Sequence, residues 1–446
     1  MPNQVNCYQM DTISRYLNPN DITIENGYKI EVFAEGLNNP SSMIFSDEGD
    51  LFIANSGYTT GKADISILRN GKFELFAENF KIPLIGINYR NNALYVSHKA
   101  TVTVIKMDGS RYDIITGLPS YGDYSNSRVD FDNAGKIYFG VGTATNSGVV
   151  GNDNLWLTDN ATFHDYPGSY IILKGQNFPT PNILGNRKEI IYTGAFSMYG
   201  EMNQPYELKR GITKATGSIL RTNADGSNLQ LVAWGLRSIS YIRFDSNNKL
   251  FVSNNGYDIR GSRPIANASD EFHIITEGTW YGFPDYSAGE PVTLPRFKPE
   301  GGDQPEFLLY SHPAIPPKPF TVFPPDSTII GFDFNQNQSF GNIGDIFIAE
   351  FGSIHLSNIG GLALQYPSAG YRVSRINSYG IASTFALNKS GFPSYITNEG
   401  GFGRPSDISF GPDGALYILD TGTSSRQDPS NILPNTGVIW KVTRNI

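Results

Sequence analysis

Residues 217–258, GSILRTNADGSNLQLVAWGLRSISYIRFDSNNKLFVSNNGYD, decide the fold. The apolar runs in this stretch are short: residues 218–222 and 229–234 flank the turn NADG, and residues 239–244 and 249–253 flank the turn DSNN. Short alternating runs that are joined by Asp, Asn and Gly turns are typical of antiparallel strands in a meander. The stretch therefore predicts two consecutive β-hairpins.

The second of these hairpins is repeated along the chain. Six segments share an apolar run, an Asp/Asn/Gly turn and a second apolar run that ends in a small or polar residue: 39–57, 82–99, 126–142, 236–256, 329–352 and 404–422. Most copies are followed by a further hairpin, which gives four strands in each unit. The sequence predicts an all-β fold, a six-bladed β-propeller of four-stranded antiparallel blades.

The two ends of the sequence predict how the ring closes. The sixth unit shows one further clear strand, residues 438–443. Residues 28–35 match the outer strands of other units, so we expect this N-terminal strand to close the last blade and remove its exposed edge. The predicted domains are an N-terminal extension over 1–27 and a single propeller over 28–446. Three inserts interrupt the pattern, at about 143–216, 257–270 and 284–328.

Composition limits the classes of function. The formal net charge of −8 argues against a nucleic-acid partner, which would need a basic face. No apolar stretch has the length of a membrane span, and the N-terminus MPNQVNCYQMD lacks the basic and apolar regions of a signal peptide. The only cysteine, Cys7, excludes an internal disulfide and a thiolate metal cluster.

Polar residues mark one end of the predicted propeller. Residues just before the first strand of a blade and just after its second strand converge at one mouth of the axial channel. Members of the first group are Asp123, Tyr124, Arg128, Arg237 and Arg404, and members of the second are Asn55, His98, Asn254, Asn255, Glu350 and Asp420. We expect the functional site at this mouth.

The same residues carry a resemblance to a known family. The motifs are GSILR (217–221) with DG (225–226), GLR (235–237), NG (255–256), DE (270–271), WYGFP (280–284), GD (344–345), AE (349–350), GS (352–353), RP (404–405) and GPDG (411–414). Over about residues 28–443 they resemble the soluble quinoprotein glucose/sorbosone dehydrogenases. The resemblance implies a six-bladed propeller that binds pyrroloquinoline quinone (PQQ) and calcium and oxidises an aldose or related sugar by hydride transfer.

The resemblance also implies which residues hold the quinone. PQQ is a planar tricarboxylate, so its pocket needs cations for the carboxylates. Arg237 and Arg404 match arginines of the family's quinone site. Lys81 stands where the family has a glutamine, and Ser406 where it has the second arginine of a pair. Since Ser406 removes one cation, we expect PQQ to bind weakly or not at all.

A calcium site is implied in the same way. Gly256 matches a backbone carbonyl that coordinates calcium in the family, and Tyr257 follows it where the family usually has proline. Glu350, at the end of a second strand, is a further candidate metal ligand. The alternative interpretation of Gly256 is a turn that needs a positive φ angle.

The catalytic base is where the sequence departs from the family. The family takes the substrate proton with a histidine, and that position is Tyr124 here, beside Asp123. A tyrosine with an ordinary pKa of about 10 is a poor general base at neutral pH. His98 and His355, each at or just beyond the end of a second strand, are the candidates that would replace it.

Three functions therefore remain open. The first is a PQQ- and calcium-dependent sugar dehydrogenase, impaired by the loss of the histidine. The second is a calcium-dependent propeller lactonase or related hydrolase, with ligands drawn from Asn55, Asn255, Glu350 and Asp420. The third is a propeller that presents a saccharide or protein site without chemistry, because a fold does not imply a function.

Overall fold

The computed structural model describes residues 15–353 and 369–445. Across these residues, the regular structure is almost entirely antiparallel β. Helical structure is confined to single turns: the 3-10 turns Pro19–Asp21, Leu155–Thr158 and Pro295–Phe297, and the α-helical turn Ser394–Thr397. The predicted all-β architecture of four-stranded antiparallel sheets is confirmed, and it is consistent with a β-propeller.

The first three large sheets are built from strands in chain order, and the third is interrupted by the insert between Val141 and Ser218. The first sheet consists of Pro40–Phe45, Leu51–Asn55, Ala63–Arg69 and Lys72–Phe80. The second consists of Leu84–Arg90, Ala93–His98, Thr101–Lys106 and Arg111–Thr116. The third consists of Asn126–Phe131, Ile137–Val141, Ser218–Thr222 and Gln230–Trp234.

Of the other three large sheets, the fourth is interrupted by an insert, and the fifth and sixth each take one strand from the N-terminal region. The fourth consists of Ser238–Phe244, Leu250–Asn255, Asp270–Ile274 and Thr321–Phe323. The fifth consists of Ile329–Phe334, Ile346–Glu350, Arg372–Ile376, Ala382–Asn388 and, at its outer edge, Ile22–Ile24. The sixth consists of Pro405–Phe410, Leu416–Asp420, Gly437–Arg444 and Tyr28–Leu37.

The first strands of these sheets contact one another in sequence order. Each first strand packs against the first strands of the preceding and the following sheet, and the first strand of the sixth sheet packs against that of the first. Tyr28–Leu37 pairs antiparallel with Gly437–Arg444, so that Tyr28 lies opposite Arg444 and Leu37 opposite Gly437. The two ends of the described chain therefore meet in one sheet.

The turns of the first hairpins explain why the repeat folds locally. In the fourth sheet the carboxylate of Asp245 accepts from the backbone N–H groups of Asn247 and Lys249, at 2.9 and 2.7 Å. In the third sheet Asp132 accepts from the N–H of Lys136 at 2.8 Å. An Asp side chain that satisfies backbone donors two and four residues later stabilises a tight turn between two strands.

The apolar core lies between neighbouring sheets. Phe347 of the fifth sheet packs in one cluster with Ile418 and Trp440 of the sixth sheet. Met43 of the first sheet packs in another cluster with Leu419 of the sixth. Burial of such side chains is worth about 1.5–3 kcal/mol each, so the contacts between sheets stabilise the arrangement of the sheets.

Small sheets occupy the inserts. Ile171–Leu173, Leu208–Lys209 and Leu309–Ser311 form a three-stranded sheet, Asn177–Pro181 pairs with Ile190–Gly194, and Tyr286–Ser287 pairs with Glu290–Pro291. Two boundaries differ from the prediction. Thr321–Phe323, inside the predicted insert 284–328, is the outer strand of the fourth sheet, and Ile22–Ile24, inside the predicted extension 1–27, is the edge of the fifth. Both strands have only three residues, which is too few for an alternating pattern to be recognised.

In the described part of the chain, no helix has the length and apolar character needed to cross a membrane.

Candidate functional site

Two adjoining cavities open at the end of the sheets where the first strands begin. The central cavity, of about 670 Å3, is lined by residues at the start of the first strand of all six sheets: Pro40, Leu84, Asn126, Ser238, Ile330 and Ser406. The side cavity, of about 650 Å3, shares Asp123, Tyr124 and Ser240 with the central cavity and extends under the inserts. The inserts contribute Asp153 and Trp156 among other residues to its wall.

Arg237 forms the floor of the side cavity and is only 3% exposed. Its guanidinium is surrounded by oxygen atoms of the protein: Asn146 O at 2.9 Å from Nε, Asn255 O at 3.2 Å from Nη1, Asn146 Oδ1 at 2.6 Å and Asp258 Oδ2 at 2.8 Å from Nη2, with Gly256 O and the Tyr124 hydroxyl also bonded. A guanidinium has five N–H groups. All five are therefore used within the protein.

Arg260 joins three carboxylates on the wall of the same cavity. It contacts Asp123 Oδ2 and Asp153 Oδ2, each at 2.7 Å, and Asp258 Oδ2 at 3.1 Å. It also donates to the Tyr124 hydroxyl at 2.8 Å. Sequence reasoning missed Arg260, Asp153 and Asp258. Their only sequence signal is a place in polar inserts, one of which follows Gly256 directly.

Tyr124, which stands where the family has its histidine, is poorly suited to accept a proton. Burial raises the pKa of Tyr124 above its ordinary value, although Arg237 and Arg260 act in the opposite direction. Its hydroxyl accepts from both guanidinium groups. Because it is neutral at physiological pH and already bonded on its oxygen, the Tyr124 hydroxyl is not arranged to take a proton from a substrate.

Asp123 lines both cavities and is also fully bonded. Its oxygens accept from Asn154 Nδ2 at 3.0 and 3.1 Å and from Trp156 Nε1 at 2.8 Å, in addition to the ion pair with Arg260. Four contacts from three donor groups hold this carboxylate in a single orientation. Of the predicted catalytic residues, the structure brings Asp123 and Tyr124 together at the cavities.

His98 is not brought to either cavity. Its Nδ1 accepts from the backbone N–H of Lys81 at 3.2 Å, and its Nε2 lies 2.8 Å from Thr103 Oγ1, which donates to Asp113 at 2.6 Å. Burial lowers the pKa of His98 to about 4. A neutral imidazole with both nitrogens bonded stabilises its sheet and is not available as a base. His355 lies outside the described residues.

Lys81 and Arg404, two of the three cations expected to hold a quinone, also lie away from the cavities. The ammonium group of Lys81 donates to Thr101 at 3.1 Å, at the start of the third strand of the second sheet. Arg404 is completely buried, and its guanidinium donates to Ser424 Oγ at 2.7 Å, Ser353 O at 3.1 Å and Pro429 O at 2.8 Å. It packs behind the cavity wall, with its guanidinium 4.8 Å from the ring centre of Phe351.

The predicted calcium ligands are also used internally. The Gly256 carbonyl accepts from Arg237, and the Tyr257 hydroxyl donates to Tyr286 O at 3.0 Å. Glu350 accepts from the Ser374 hydroxyl inside the fifth sheet, where burial raises its pKa. Among the described residues, no three His, Cys, Asp or Glu side chains are grouped so that they could hold a metal ion.

Gly256 is a glycine for a different reason from the one expected. Its φ angle is not positive. A Cβ atom at this position would lie 2.5 Å from Ser269 O and 2.7 Å from Ala268 O. Because both neighbours are backbone atoms, only a residue without a side chain fits where the fourth sheet meets its insert.

Asp270 is a further carboxyl group on the side cavity. Its oxygens accept from the N–H of Gly256 at 2.8 Å and of Thr328 at 2.6 Å. Burial raises the pKa of Asp270 to about 7, against the effect of these two donors. The sequence identified Asp270 only as part of the DE motif and assigned it no role.

The four residues considered as ligands for a lactonase do not meet. Asn255 lines the side cavity. Asn55 donates to Asp64 at 2.6 Å within the first sheet. Asp420 is buried and paired with Arg15 at 2.8 Å, and Glu350 lies in the fifth sheet.

No model of a known protein family matches the sequence, and no curated protein matches it. Solved structures do match over nearly the whole chain. The holo form of the pyranose dehydrogenase PQQ domain from Coprinopsis cinerea is 15% identical with a TM-score of 0.59, covering 96% of this chain and 98% of that one. The apo soluble aldose sugar dehydrogenase of Escherichia coli is 14% identical with a TM-score of 0.54, over 94% and 99%.

A third match is the PQQ-bound aldose sugar dehydrogenase of Streptomyces coelicolor, which is 15% identical with a TM-score of 0.51 and covers 94% of this chain and 100% of that one. The chain has the fold of the soluble sugar dehydrogenases. The resemblance found in the sequence is confirmed at the level of this fold. At 14–15% identity the likeness to sugar dehydrogenases does not extend to their chemistry.

Within this sugar dehydrogenase fold, the residues present do not fit PQQ or calcium. All N–H groups of Arg237 are bonded to protein oxygens, and Arg404 and Lys81 do not line either cavity. The Gly256 carbonyl, which would have to face calcium, faces a guanidinium. A tricarboxylate would also approach Asp123, Asp153 and Asp258, which outnumber the two arginines they contact.

Proposed function

We propose that the chain is a single-domain six-bladed β-propeller over residues 28–446, closed by Tyr28–Leu37 as the outer strand of the sixth blade. Support for six blades comes from the contacts of the six first strands, each with its two neighbours. Support for closure comes from the pairing of Tyr28–Leu37 with Gly437–Arg444, since this N-terminal strand covers the edge that the last strand of the chain would otherwise expose.

On this fold, the central cavity binds a neutral saccharide. The observation that carries this proposal is the chemistry of its lining. Eight of its lining side chains are aliphatic hydroxyls: Ser41, Ser56, Ser125, Ser238, Ser240, Ser406, Thr421 and Ser430. Among the described residues that line it, none is Lys, Arg or His, and the one charged group, Asp123, is neutralised by Arg260.

Aromatic rings complete the character of a sugar site. Tyr58, Tyr124 and Phe351 line the central cavity, and Tyr58 is 70% exposed. Flat apolar rings beside many small hydrogen-bonding groups suit a pyranose, which has apolar C–H faces and hydroxyl edges. The matched structures are named as pyranose and aldose dehydrogenases, which supports a sugar as the ligand class.

Oxidation of an aldose with PQQ and calcium is the second candidate. The likeness to PQQ-bound sugar dehydrogenases favours it. The internal bonding of Arg237, Arg404 and the Gly256 carbonyl opposes it, so no step is assigned to the quinone. Calcium-dependent lactone hydrolysis has no comparable support, because its four proposed ligands are dispersed.

The test is calorimetric titration with glucose, maltose and cellobiose, with glucuronate as the anionic counterpart of glucose. We expect one of the neutral sugars to bind and glucuronate to bind at least about tenfold more weakly. Tyr58→Ala should weaken binding by about 1 kcal/mol or more, since the ring supplies contact area. Tyr379→Ala is the matched control, because Tyr379 is 84% exposed and lines neither cavity.

A parallel reconstitution decides between the candidates. The protein is mixed with PQQ and CaCl2 and assayed with the same sugars and a dye acceptor. Sugar binding without dye reduction supports a propeller that binds a saccharide but does not oxidise it. Dye reduction that requires PQQ would establish the dehydrogenase instead, and failure of every sugar to bind would reject the central cavity as a saccharide site.

A further inference from the structure

Arg237 lies in a cradle built from oxygen atoms. Backbone carbonyls of Asn146, Asn255 and Gly256, the Asn146 amide oxygen and the Asp258 carboxylate all point at the guanidinium. Carbonyl, amide and carboxylate oxygens are the ligands that calcium takes in proteins. These oxygen atoms therefore form a cation site, and the guanidinium of Arg237 occupies it.

Two aromatic rings beside the cradle also favour an organic cation. The Arg237 guanidinium lies 4.4 Å from the ring centre of Tyr124 and 5.7 Å from that of Tyr257. Aromatic faces attract a weakly hydrated planar cation, whereas a divalent metal ion keeps oxygen ligands on every side. The two tyrosines occupy positions where the resemblance led us to expect a histidine and a proline.

We propose that the guanidinium of Arg237 is the resident cation of this site and takes the place that the resemblance assigns to calcium. The order of the cavity floor then depends on Arg237 and not on a metal ion. Asp258, the one carboxylate in the cradle, is shared between Arg237 at 2.8 Å and Arg260 at 3.1 Å, so its charge is already balanced. This inference is independent of the saccharide proposed for the central cavity.

Metal dependence of the wild-type protein is the first test. Its melting temperature should stay within about 1 °C after EDTA treatment and after addition of millimolar CaCl2, because a ligand that does not bind the native state does not stabilise it. Calorimetric titration with CaCl2 should show no saturable binding. A melting temperature that falls in EDTA and recovers with CaCl2 would overturn the proposal.

Removal of the Arg237 side chain is the second test. In Arg237→Ala the oxygen atoms remain without their cation, so the variant should be less stable than the wild type. Low-millimolar guanidinium chloride, or else CaCl2, should then raise its melting temperature by at least about 2 °C. Arg404→Ala is the matched control, because Arg404 is equally buried among carbonyl and hydroxyl groups but has no carboxylate and should gain nothing.

The responses of Arg237→Ala and Arg404→Ala to added cations decide the outcome. Recovery of Arg237→Ala by either cation, without recovery of Arg404→Ala, supports the resident guanidinium. The same response in both variants, or in neither, overturns it. Should Arg237→Ala fail to fold, Arg237→Lys keeps a positive charge with three donors, and its melting temperature should remain insensitive to EDTA. Sensitivity of the lysine variant to EDTA would also overturn the proposal.

Discussion

The six large sheets and the wall of the side cavity are organised differently. The sheets share apolar clusters, in which Phe332, Phe347 and Trp440 are fully buried. The wall, made of residues 142–217, 256–269 and 275–320, has an apolar cluster of its own that includes Phe196 and Phe297. It adds buried ionic and hydrogen-bonded groups that join segments far apart in sequence, such as Arg260 with Asp153 and Arg263 with Ser147. The difference teaches that one chain can combine a framework set by a local repeat with a site set by contacts far apart in sequence.

Deletion of residues 1–37 should have the largest effect, and it acts on the framework. The truncated chain lacks Tyr28–Leu37, which leaves Gly437–Arg444 as an unpaired edge and exposes the buried side chains beneath it. We expect loss of cooperative thermal unfolding, measured by calorimetry. Deletion of residues 1–14 alone is the control and should leave the transition in place. A truncation that melts like the full chain would contradict the closure of the ring.

The framework was predictable because its information is local. Turns such as Asp245–Asn248 and the alternating runs beside them recur six times, and each copy folds the same hairpin. The boundaries failed where a strand is short and its partner distant. Thr321–Phe323 pairs with Asp270–Ile274 across the wall segment 275–320, and no tight turn connects the two strands.

The site was predictable only where it touches the repeat. Asp123, Tyr124 and Arg237, chosen from the strand ends, line the side cavity. Their partners were not found, because Tyr124 and Arg260 are 136 residues apart and meet only through the folded inserts. The nearby sequence determines a residue's position in a strand. It does not determine which distant residue will accept or donate its hydrogen bonds.

Arg263→Met tests the wall by itself. The buried guanidinium of Arg263 bonds to Ser147 O at 3.0 Å, Pro284 O at 2.9 Å and Glu306 O at 2.7 Å, and it pairs with Asp285 at 3.1 Å. Removing one partner of a buried ion pair costs about 3–5 kcal/mol. Hydrogen exchange should show lost protection in residues 284–312 while the sixth sheet keeps its protection.

A control for this substitution lies in the same wall. Arg296 pairs with Glu290 at 2.7 Å, and both side chains are largely exposed. Exposed pairs contribute about 0–1 kcal/mol, so Arg296→Met should leave exchange and stability nearly unchanged. Equal effects of the two substitutions, or protection lost evenly over the molecule by Arg263→Met, would show that wall and framework do not differ in the way described.

The pH dependence of stability tests the carboxyl groups that join wall and framework. Burial raises the pKa of Asp270 to about 7 and that of Asp165 to about 6, from an ordinary value of 3.8. A carboxyl whose pKa is higher in the folded state contributes its stability in full below the unfolded value and loses it as pH rises through the folded value. Each group should therefore lower the free energy of unfolding by about 1.4 kcal/mol per pH unit within its window.

Comparison of two variants separates these windows. Asp270→Asn should remove the decline in the free energy of unfolding between about pH 6 and 7. Asp165→Asn should remove a decline in the same quantity only up to about pH 6. Urea denaturation at a series of pH values measures both. The readout is the difference from wild type, because the lowered pKa of His98 changes stability in the opposite direction over part of this range. Identical slopes for Asp270→Asn and wild type above pH 6 would exclude a titrating Asp270.

Gly256→Ala has a smaller expected effect than Arg263→Met and tests the point where the framework meets the wall. The added methyl group would meet two backbone carbonyls, at Ala268 and Ser269, and neither has a side-chain torsion with which to move away. Overpacking of this kind costs about 1–3 kcal/mol, measured by urea denaturation without added metal. Gly185→Ala is the matched control: its φ is also not positive, and the methyl group would meet mainly the flexible amide of Asn182, so a change within about 0.5 kcal/mol is expected. If Gly256 were present only so that its carbonyl could coordinate calcium, alanine would serve equally well, because it keeps the carbonyl. A loss of stability in metal-free buffer at Gly256 but not at Gly185 therefore assigns the glycine to the close approach of two backbones.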